Sequence, residues 1–301
     1  MDLNQLGYFV ALAESGSFTR AAEACHVSQP SLSQQIRKLE EESGQPLVER
    51  LARGVRLTEP GRVLLEQANK ILMEVEATER RLAEQQQGEA GQLSIGVIST
   101  VAPYLLPLVL EDFRKQVPKA ELTIVEGFAS EVERQTAERE LDLGITSLPV
   151  SNGRLESEQL FEEPLYLALP RRHELSRREE VRISDIQKEA FILLHEEHCL
   201  ATTIERFCAE HGFRPKLVCR SAQLTTVQEL IASGQGLSLL PAMVKEVDRS
   251  KERVYRQLTA AAPRRAIAVM WRRGRYRSRL AIRFLEHLKK VAKELEPQLN
   301  G

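Results

Sequence analysis

Residues 18–61 read FTRAAEACHVSQPSLSQQIRKLEEESGQPLVERLARGVRLTEPG, and this stretch decides the fold of the N-terminal part of the chain. It contains two helix-like runs separated by a tight junction at His26 and Val27. Ser28 is placed to cap the second run, and Pro30 falls in its first turn, where a missing N–H does little harm. Two helices joined by a short turn predict a helix-turn-helix.

The second helix presents two different faces. Leu32, Ile36 and Leu39 form an inner stripe, while the opposite side can hydrogen-bond base edges or phosphates. Strand-like pieces around Arg53 and Gly54 predict a wing whose arginines, Arg56 included, reach the DNA backbone. The predicted DNA-binding residues are Ser28, Gln29, Ser31, Ser33, Gln34, Arg37, Lys38, Arg50 and Arg53. The alternative is an ordinary solvated helix, because residues 1–62 hold seven basic and eight acidic residues.

The stretch after Pro60 predicts one long helix. Up to Gly88 its only glycine is Gly61. Seam residues recur at spacings of four and three, as in a heptad repeat; they are Leu64, Ala68, Ile71, Val75, Thr78 and Leu82. Because one narrow apolar stripe cannot bury itself, we expect residues 61–88 to form a linker helix that dimerises with a second chain. The alternative is a helix lying on its own C-terminal domain. The polar stretch QQQGEAGQ (85–92) then predicts a hinge.

From Leu93 onward, strand-like and helix-like runs alternate, which predicts an α/β domain with a parallel sheet and crossover helices. Strands of a first lobe, 93–163 and 264–301, occur on both sides of a second lobe, 164–263. The chain should therefore cross twice between the lobes. Ligands of open α/β sheets bind at the carboxyl ends of the strands, so the cleft between the lobes is the expected site.

Composition narrows the class of protein. The chain carries 42 Lys and Arg against 43 Asp and Glu, so its net charge indicates neither a nucleic acid nor a membrane partner. No apolar run reaches the roughly 18 residues of a membrane span, and the first residues do not resemble a signal peptide. We therefore expect a cytoplasmic protein without a membrane partner. The four cysteines lack zinc-site spacing, and no metal or cofactor is predicted.

Cys199 and Cys208 lie nine residues apart in LLHEEHCLATTIERFCAEHG (193–212). Cys199 adjoins His198 at the start of a helix-like run, so its thiol should ionise more readily than a free one. On an unbroken helix the two Cα atoms are about 13 Å apart, whereas a disulfide tolerates about 7 Å. A bond between them therefore requires the segment to refold, as in a redox switch. The alternative is two unrelated thiols.

The N-terminal stretch resembles the LysR-type transcriptional regulators. The resemblance is carried by AA at 21–22, SQPSLSQQIRKLE at 28–40 and LTEPG at 57–61. It implies a winged helix-turn-helix at 1–60, the linker helix at 61–88, and a two-lobed effector domain of the periplasmic-binding-protein type at 89–301. It also implies promoter DNA as a partner.

Within that family, the chain is most similar to the hydrogen-peroxide sensors. The matching residues are CHVSQPSLSQQIRKLE near the start, TVAPYLLP at 100–107, HCL and FC around the two cysteines, PRR at 263–265 and RSR at 277–279. The resemblance implies that peroxide oxidises Cys199 to a sulfenic acid, with which Cys208 forms a disulfide. Thr100 and His198 would hold the peroxide. Of Arg264 and Arg265, strand alternation allows one to face the thiolate, and Arg265 is favoured.

Two positions depart from the family pattern. Ala129 stands where a threonine is expected, with Ser130 next to it as a possible substitute in the peroxide pocket, and Thr202 replaces an expected acid. The predicted function is a peroxide-sensing transcription regulator that is not an enzyme. It would act on promoter DNA, with RNA polymerase as a further partner, and would form a tetramer built from two dimers. The alternatives are a LysR-type regulator that responds to a small-molecule co-inducer in the cleft, and a thiol peroxidase.

Overall fold

The computed structural model describes residues 1–51, 54–87, 91–259 and 262–300. The chain forms two compact units, one of Met1–Gln86 with Gly274–Tyr276 and one of Gln87–Arg273 with Arg277–Gly301. None of the helices in the described ranges is long and apolar enough to cross a membrane.

The N-terminal unit is a winged helix-turn-helix. Its elements are α1 (Leu3–Ser15), α2 (Phe18–Ala24), α3 (Gln29–Ser43), β1 (Val48–Arg50), β2 (Val55–Leu57) and α4 (Glu59–Gln87). The junction between α2 and α3 turns sharply because His26 adopts a left-handed φ of 53°. Ser28 caps α3 by accepting a hydrogen bond from the N–H of Ser31 at 3.3 Å. Leu32, Ile36 and Leu39 are buried against Phe9 of α1 and so form the core of the unit, as predicted.

Helix α4 is the predicted long helix, and it begins two residues earlier than expected. Within this single chain its seam is unevenly covered. Ala68 is buried, whereas Ile71 is 41 % and Leu82 58 % exposed. Thr78 donates its hydroxyl to the carbonyl oxygen of Glu74 at 2.8 Å, which satisfies the one polar side chain in the seam. Dimerisation through this helix stays a prediction.

The C-terminal unit alternates strands and helices. Its strands are β3 (Gln92–Ile98), β4 (Glu121–Gly127), β5 (Leu143–Ser147), β6 (Leu155–Pro170), β7 (Glu180–Val181), β8 (Ala190–Leu194), β9 (Lys216–Ser221), β10 (Ser238–Pro241), β11 (Arg253–Leu258) and β12 (Arg264–Arg272). Its helices are α5 (Ala102–Gln116), α6 (Ala129–Ala137), α7 (Ile183–Ile186), α8 (Cys199–Glu210), α9 (Leu224–Ala232), α10 (Ala242–Val247) and α11 (Arg279–Leu299). The α/β class is therefore confirmed.

The main sheet is mixed, so the predicted parallel sheet accounts for only part of it. Strands β3, β4 and β5 are parallel to one another, but β12 runs antiparallel to both β5 and β6. Alternation of strands and helices does not report strand direction. Strand β12 returns from the second half of the domain and enters the sheet from the opposite end.

Strand β6 connects two separate apolar cores. Its residues 155–164 pair with β12, and its residues 165–170 pair with β10 and β11. One core contains Phe113, Phe161 and Phe284, and the other contains Phe191 and Ile204. We call these the first-lobe core and the second-lobe core. Sequence patterning shows only the apolar second half of β6, because the first half alternates glutamates with other residues.

Candidate functional site

Cys199 is the first residue of α8, directly after the N-cap residue His198. Its side chain is half-buried and packs against the first-lobe core. Burial raises the pKa of the Cys199 thiol; the charge of Arg265, the backbone N–H groups of Leu200 and Cys199, and the Ser147 hydroxyl oppose this rise. The sequence-based expectation of a more readily ionised thiol is therefore wrong. Loss of water around the sulfur outweighs the helix N-terminus and the nearby cation.

Arg265 is the cation whose charge favours the Cys199 thiolate, and its guanidinium is held on two sides. It donates from Nη1 to the Oγ1 of Thr100 at 2.9 Å and from Nη2 to the Thr100 carbonyl oxygen at 3.1 Å. On its other side it donates from Nε to the Oε1 of Glu163 at 2.8 Å. The other oxygen of Glu163 accepts the N–H of Met243 at 2.9 Å. The guanidinium therefore has a fixed orientation, with its positive charge largely compensated.

Arg264, the neighbouring arginine, points to the outside of the sheet. Its guanidinium approaches Glu162 at 3.4 Å and donates to Asn300 at 2.6 Å, and its side chain is 39 % exposed. Arg265 is 3 % exposed. Alternation along β12 accounts for the difference, because successive residues of a strand face opposite sides.

His198 is buried, and both of its ring nitrogens are engaged. Nε2 lies 3.0 Å from the carbonyl oxygen of Ala222, which only accepts, so Nε2 carries the proton. Nδ1 then accepts the hydroxyl hydrogen of Ser99 at 3.3 Å. Burial lowers the pKa of His198, and Phe128 packs edge-on against the ring. His198 thereby ties the start of α8 to the turn after β3, and direct contact with peroxide stays a prediction.

The structure does not bring Ser130 into this group. Ser130 is exposed on α6, whereas Ala129 is half-buried and packs against the same first-lobe core as Cys199. Thr202 is also exposed, one turn along α8. Neither hydroxyl is thus among the buried groups around Cys199, and a role for Ser130 in the peroxide pocket stays a prediction.

Cys208 lies in the last turn of α8 and is fully buried in the second-lobe core. Burial, with the nearby Glu205, raises its pKa to about 12. Both Cys199 and Cys208 are free thiols, and α8 is continuous between them. At about 1.5 Å per residue the helix separates their Cα atoms by roughly 13 Å, beyond the reach of a disulfide.

Three residues of the site escape sequence analysis: Glu163, Ser147 and Ser99. Glu163 follows another glutamate in LFEEPLYLALP, and only its position directly opposite Arg265 in the β6–β12 register distinguishes it. Because a buried arginine requires a charged partner, the prediction that Arg265 faces inward could have pointed to a carboxylate opposite it. Ser147 and Ser99 end or follow short strands, where serine is common and carries little information.

The predicted DNA-binding face of α3 is largely exposed. Gln29, Ser31, Gln34, Arg37 and Lys38 all point outward, and Ser28 is exposed at the helix start. Arg50 and Arg56 are exposed on the two wing strands. Arg53 lies outside the described residues.

Ser33 is the exception on this face, because it is only 8 % exposed. Its hydroxyl accepts a hydrogen bond from Nη2 of Arg50 at 3.1 Å, and the Arg50 guanidinium also stacks over Phe18. Ser33 is adjacent to Leu32 and lies between the inner and outer faces of the helix. The expectation that Ser33 faces DNA is therefore a misassignment, because its hydroxyl anchors the wing arginine.

A second contact fixes the wing to α3. Glu40 accepts the backbone N–H of Leu47 at 2.8 Å and that of Val48 at 3.1 Å through the same carboxylate oxygen. The wing strand therefore starts from a defined point on α3.

Comparison with known proteins agrees with this architecture. Residues 3–62 match the bacterial regulatory helix-turn-helix proteins of the lysR family, and residues 86–293 match the LysR substrate binding domain. A hydrogen peroxide-inducible genes activator from Dickeya chrysanthemi is 36 % identical over 304 residues, covering 99 % of each chain.

Solved structures show the same similarity. Full-length OxyR from Pseudomonas aeruginosa, with aspartate replacing a cysteine, is 31 % identical with a TM-score of 0.63, over 97 % of this chain and 99 % of that one. A hydrogen-peroxide-bound cysteine-to-serine mutant of OxyR from Corynebacterium glutamicum is 27 % identical with a TM-score of 0.64, over 99 % and 96 %. These relatives are transcription regulators, which argues against the thiol peroxidase alternative. With a winged helix-turn-helix followed by a two-lobed effector domain, and matches along nearly its whole length, the chain belongs to the LysR family of transcription regulators.

Proposed function

We propose that this regulator senses hydrogen peroxide through Cys199 and is switched by a disulfide between Cys199 and Cys208. The observation that carries the proposal is the group formed by Cys199, Arg265 and Thr100. It joins a thiol at a helix start, a fixed buried cation and a hydroxyl beside that cation. The relatives named for peroxide support the same reading.

The first step is a nucleophilic attack by sulfur. The Cys199 thiolate attacks one oxygen of hydrogen peroxide, so that an S–O bond forms as the O–O bond breaks. Sulfur loses two electrons and becomes a sulfenic acid, while the second oxygen leaves as hydroxide and takes up a proton to become water. Thr100 accepts from Arg265 through its oxygen, which leaves its own O–H to donate to the peroxide. Arg265 stabilises the thiolate and the leaving hydroxide.

The second step forms the disulfide. The Cys208 sulfur attacks the Cys199 sulfenic acid, an S–S bond replaces the S–O bond, and water leaves. Because α8 holds the two sulfurs apart, the helix must unwind and Cys208 must leave the second-lobe core. Oxidation therefore converts residues 199–210 from one packed conformation to another. Reduction of the disulfide by cellular thiols reverses this conformational change.

DNA and a second chain are the proposed partners of the N-terminal unit. Exposed Gln34, Arg37 and Lys38 suit the major groove, and the wing suits the backbone. The exposed positions of the α4 seam suit the same helix from a second chain, which gives a dimer. A tetramer and contact with RNA polymerase extend this proposal by family resemblance.

A small anionic co-inducer in the same cleft is the second candidate, because Arg265 is a buried cation at strand ends. Its charge is, however, already compensated by Glu163 at 2.8 Å, with both side chains almost fully buried. A site of balanced charge favours a neutral ligand over an anion, since an added anion would be buried without a full partner. Hydrogen peroxide is neutral, so it meets this condition.

Counting thiols tests the proposed function. Reduced protein should show four thiols on denaturation, and after equimolar peroxide it should show two, with a peptide that links Cys199 to Cys208. Cys199→Ser should abolish the loss, whereas Cys219→Ser should still lose two thiols. Four thiols after peroxide treatment of the unmodified chain would reject the proposal in favour of the co-inducer.

A further inference from the structure

Ser147 is a buried hydroxyl at the end of β5, 5 % exposed. It pairs directly with Ile267 on β12, and Arg265 lies two residues before Ile267 on the same strand. Directly paired residues, and residues two apart on a strand, face the same side of a sheet. The Ser147 hydroxyl and the Arg265 guanidinium therefore extend from one face of the sheet, at adjacent positions.

Cys199 approaches this face from α8. Its side chain packs against the first-lobe core, to which Ile145 and Ile267 contribute. Among the influences on the pKa of the Cys199 thiol, the Ser147 hydroxyl favours the thiolate, in the same direction as Arg265. The thiol is therefore approached by a cation and by a neutral donor from neighbouring strands.

The other hydroxyls near α8 are committed elsewhere. Thr203 donates to the carbonyl oxygen of Cys199 at 2.9 Å. The Thr100 hydroxyl accepts from Arg265, and its own O–H is the group assigned to the peroxide in the proposed reaction. Ser130 and Thr202 are exposed. The Ser147 hydroxyl is thus the buried donor that remains for the sulfur itself among the described residues.

We propose that Ser147 is a catalytic residue of the sensor, whose hydroxyl holds the Cys199 sulfur in its reactive form in place of the hydroxyl that Ala129 lacks. The inference rests on the proposed function, because the reaction in question is the attack of the Cys199 thiolate on peroxide. Ser147 takes no part in the electron balance of that step. It donates a hydrogen bond to the sulfur before the S–O bond forms.

The size of the effect follows from two opposing terms. A hydrogen bond to a charged group is worth about one to two pKa units. For each unit by which the thiol pKa rises, the thiolate fraction at neutral pH falls about tenfold, while its nucleophilicity rises about threefold. Removing the Ser147 donor should therefore slow Cys199 about three- to tenfold at pH 7. The deficit should stay constant below the pKa of the unmodified Cys199 thiol, which burial raises above its ordinary value, and should narrow only above that pKa.

The experiment measures Cys199 reactivity in full-length Ser147→Ala with two reagents between pH 6 and pH 10. Iodoacetamide alkylation, followed by mass spectrometry of the Cys199 peptide, reports the thiol pKa without peroxide. Loss of the Cys199 thiol under excess peroxide reports the sensor reaction. We expect both rates to fall at pH 7, the deficit to persist up to the raised pKa of the unmodified thiol, and Ser147→Thr to restore both.

Thr146→Val is the matched control. Thr146 precedes Ser147, faces the opposite side of β5 and is fully buried, and its hydroxyl has no hydrogen-bond partner among the described residues. Its removal should leave both rates unchanged. A similar slowing in both variants would indicate a general disturbance of β5 and would overturn the inference, as would an unchanged alkylation profile in Ser147→Ala.

The two proposals fail in different ways. If Cys199 of the unmodified chain does not react with peroxide, yet its alkylation profile shifts in Ser147→Ala, the proposed function is lost and the Ser147 contact stands. If Cys199 reacts with peroxide and Ser147→Ala changes neither rate, the contact is rejected and the sensor stands.

Discussion

Arg265 and Glu163 stand directly opposite each other on antiparallel strands β12 and β6, with Nε of the arginine 2.8 Å from Oε1 of the glutamate. Both side chains are almost fully buried. The pair lies where β6 leaves its pairing with β12 for β10 and β11. The cation that acts on Cys199 is thus held by a carboxylate on the strand that connects the two cores. The charge available to the thiol depends on that carboxylate.

Glu163→Gln should lower the pKa of Cys199 and destabilise the domain. Without the carboxylate the Arg265 charge is less compensated, so the thiolate becomes more favourable. Breaking a buried ion pair costs about 3–5 kcal/mol, and the amide cannot accept both the Arg265 and the Met243 hydrogen bonds as the carboxylate does. Urea unfolding measures the stability, and iodoacetamide alkylation against pH measures the thiol.

Glu162→Gln is the control for this prediction. Glu162 precedes Glu163 and pairs with the outward Arg264, and both side chains are partly exposed. A surface pair contributes at most about 1 kcal/mol, so unfolding and alkylation should change little. An equal loss of stability and an equal change in Cys199 alkylation in the two variants would contradict the assignment of Glu163 as the charge partner of Arg265.

Cys208 should resist alkylation in the reduced, folded protein. Its thiol is fully buried and its pKa is about 12, so at pH 7 to 9 it is neutral and inaccessible. The raised pKa favours folding while the thiol stays protonated, and this contribution is lost as pH rises from about 9 toward 12. Peptide mass spectrometry after iodoacetamide should find Cys208 unmodified until the protein is unfolded. Labelling of Cys208 at the rate of half-buried Cys219 would contradict this environment.

Ser33 and Gln34 should behave differently on DNA although they are neighbours on α3. Gln34→Ala removes an exposed amide and should weaken preference for the correct sequence, by about 1–3 kcal/mol per lost bidentate contact. Ser33→Ala removes the acceptor for Arg50 and should weaken binding to every sequence alike. Fluorescence anisotropy with matched and scrambled duplexes separates the two effects. If Ser33→Ala loses as much sequence preference as Gln34→Ala, Ser33 contacts the bases and belongs to the DNA-binding face of α3.

The sequence identifies most elements of this fold because their signals are local. The cap at Ser28, the seam of α4 and the strand before Cys199 are all readable from neighbouring residues. The direction of β12 and the first half of β6 are not, because they depend on pairing between distant segments. The first half of β6 carries several glutamates, so it contains no apolar run that would indicate a strand.

The same distinction applies to the site. Cys199 at a helix start was predictable, but the direction of its pKa shift was not, because burial comes from packing between the first-lobe core and α8. Likewise, Ser33 reads as groove-facing from its residue type, and only the position of Arg50 on the wing shows that its hydroxyl is occupied. The sequence therefore predicts Cys199 together with Thr100, His198 and Arg265, but it does not identify Glu163, which holds Arg265, or Ser99, which contacts His198.

Oxidation should unfold α8, and hydrogen exchange can measure it. In the reduced state α8 is continuous from Cys199 to Glu210, and its backbone amides should be protected. A bond between Cys199 and Cys208 cannot form at a separation of roughly 13 Å, so oxidised protein should lose protection in peptides covering 195–212. Cys208 must also leave the second-lobe core, so the neighbouring β8 should exchange faster.

Cys208→Ser supplies the control for this last prediction. It keeps the Cys199 thiol and its reaction with peroxide but removes the partner for the disulfide, so peroxide should leave exchange in 195–212 close to that of reduced protein. The comparison separates the effect of the sulfenic acid from that of the bond. Protein that carries the 199–208 disulfide, verified by mass spectrometry, and still protects α8 fully would contradict the mechanism, because the bond would then have formed without the refolding that its geometry demands.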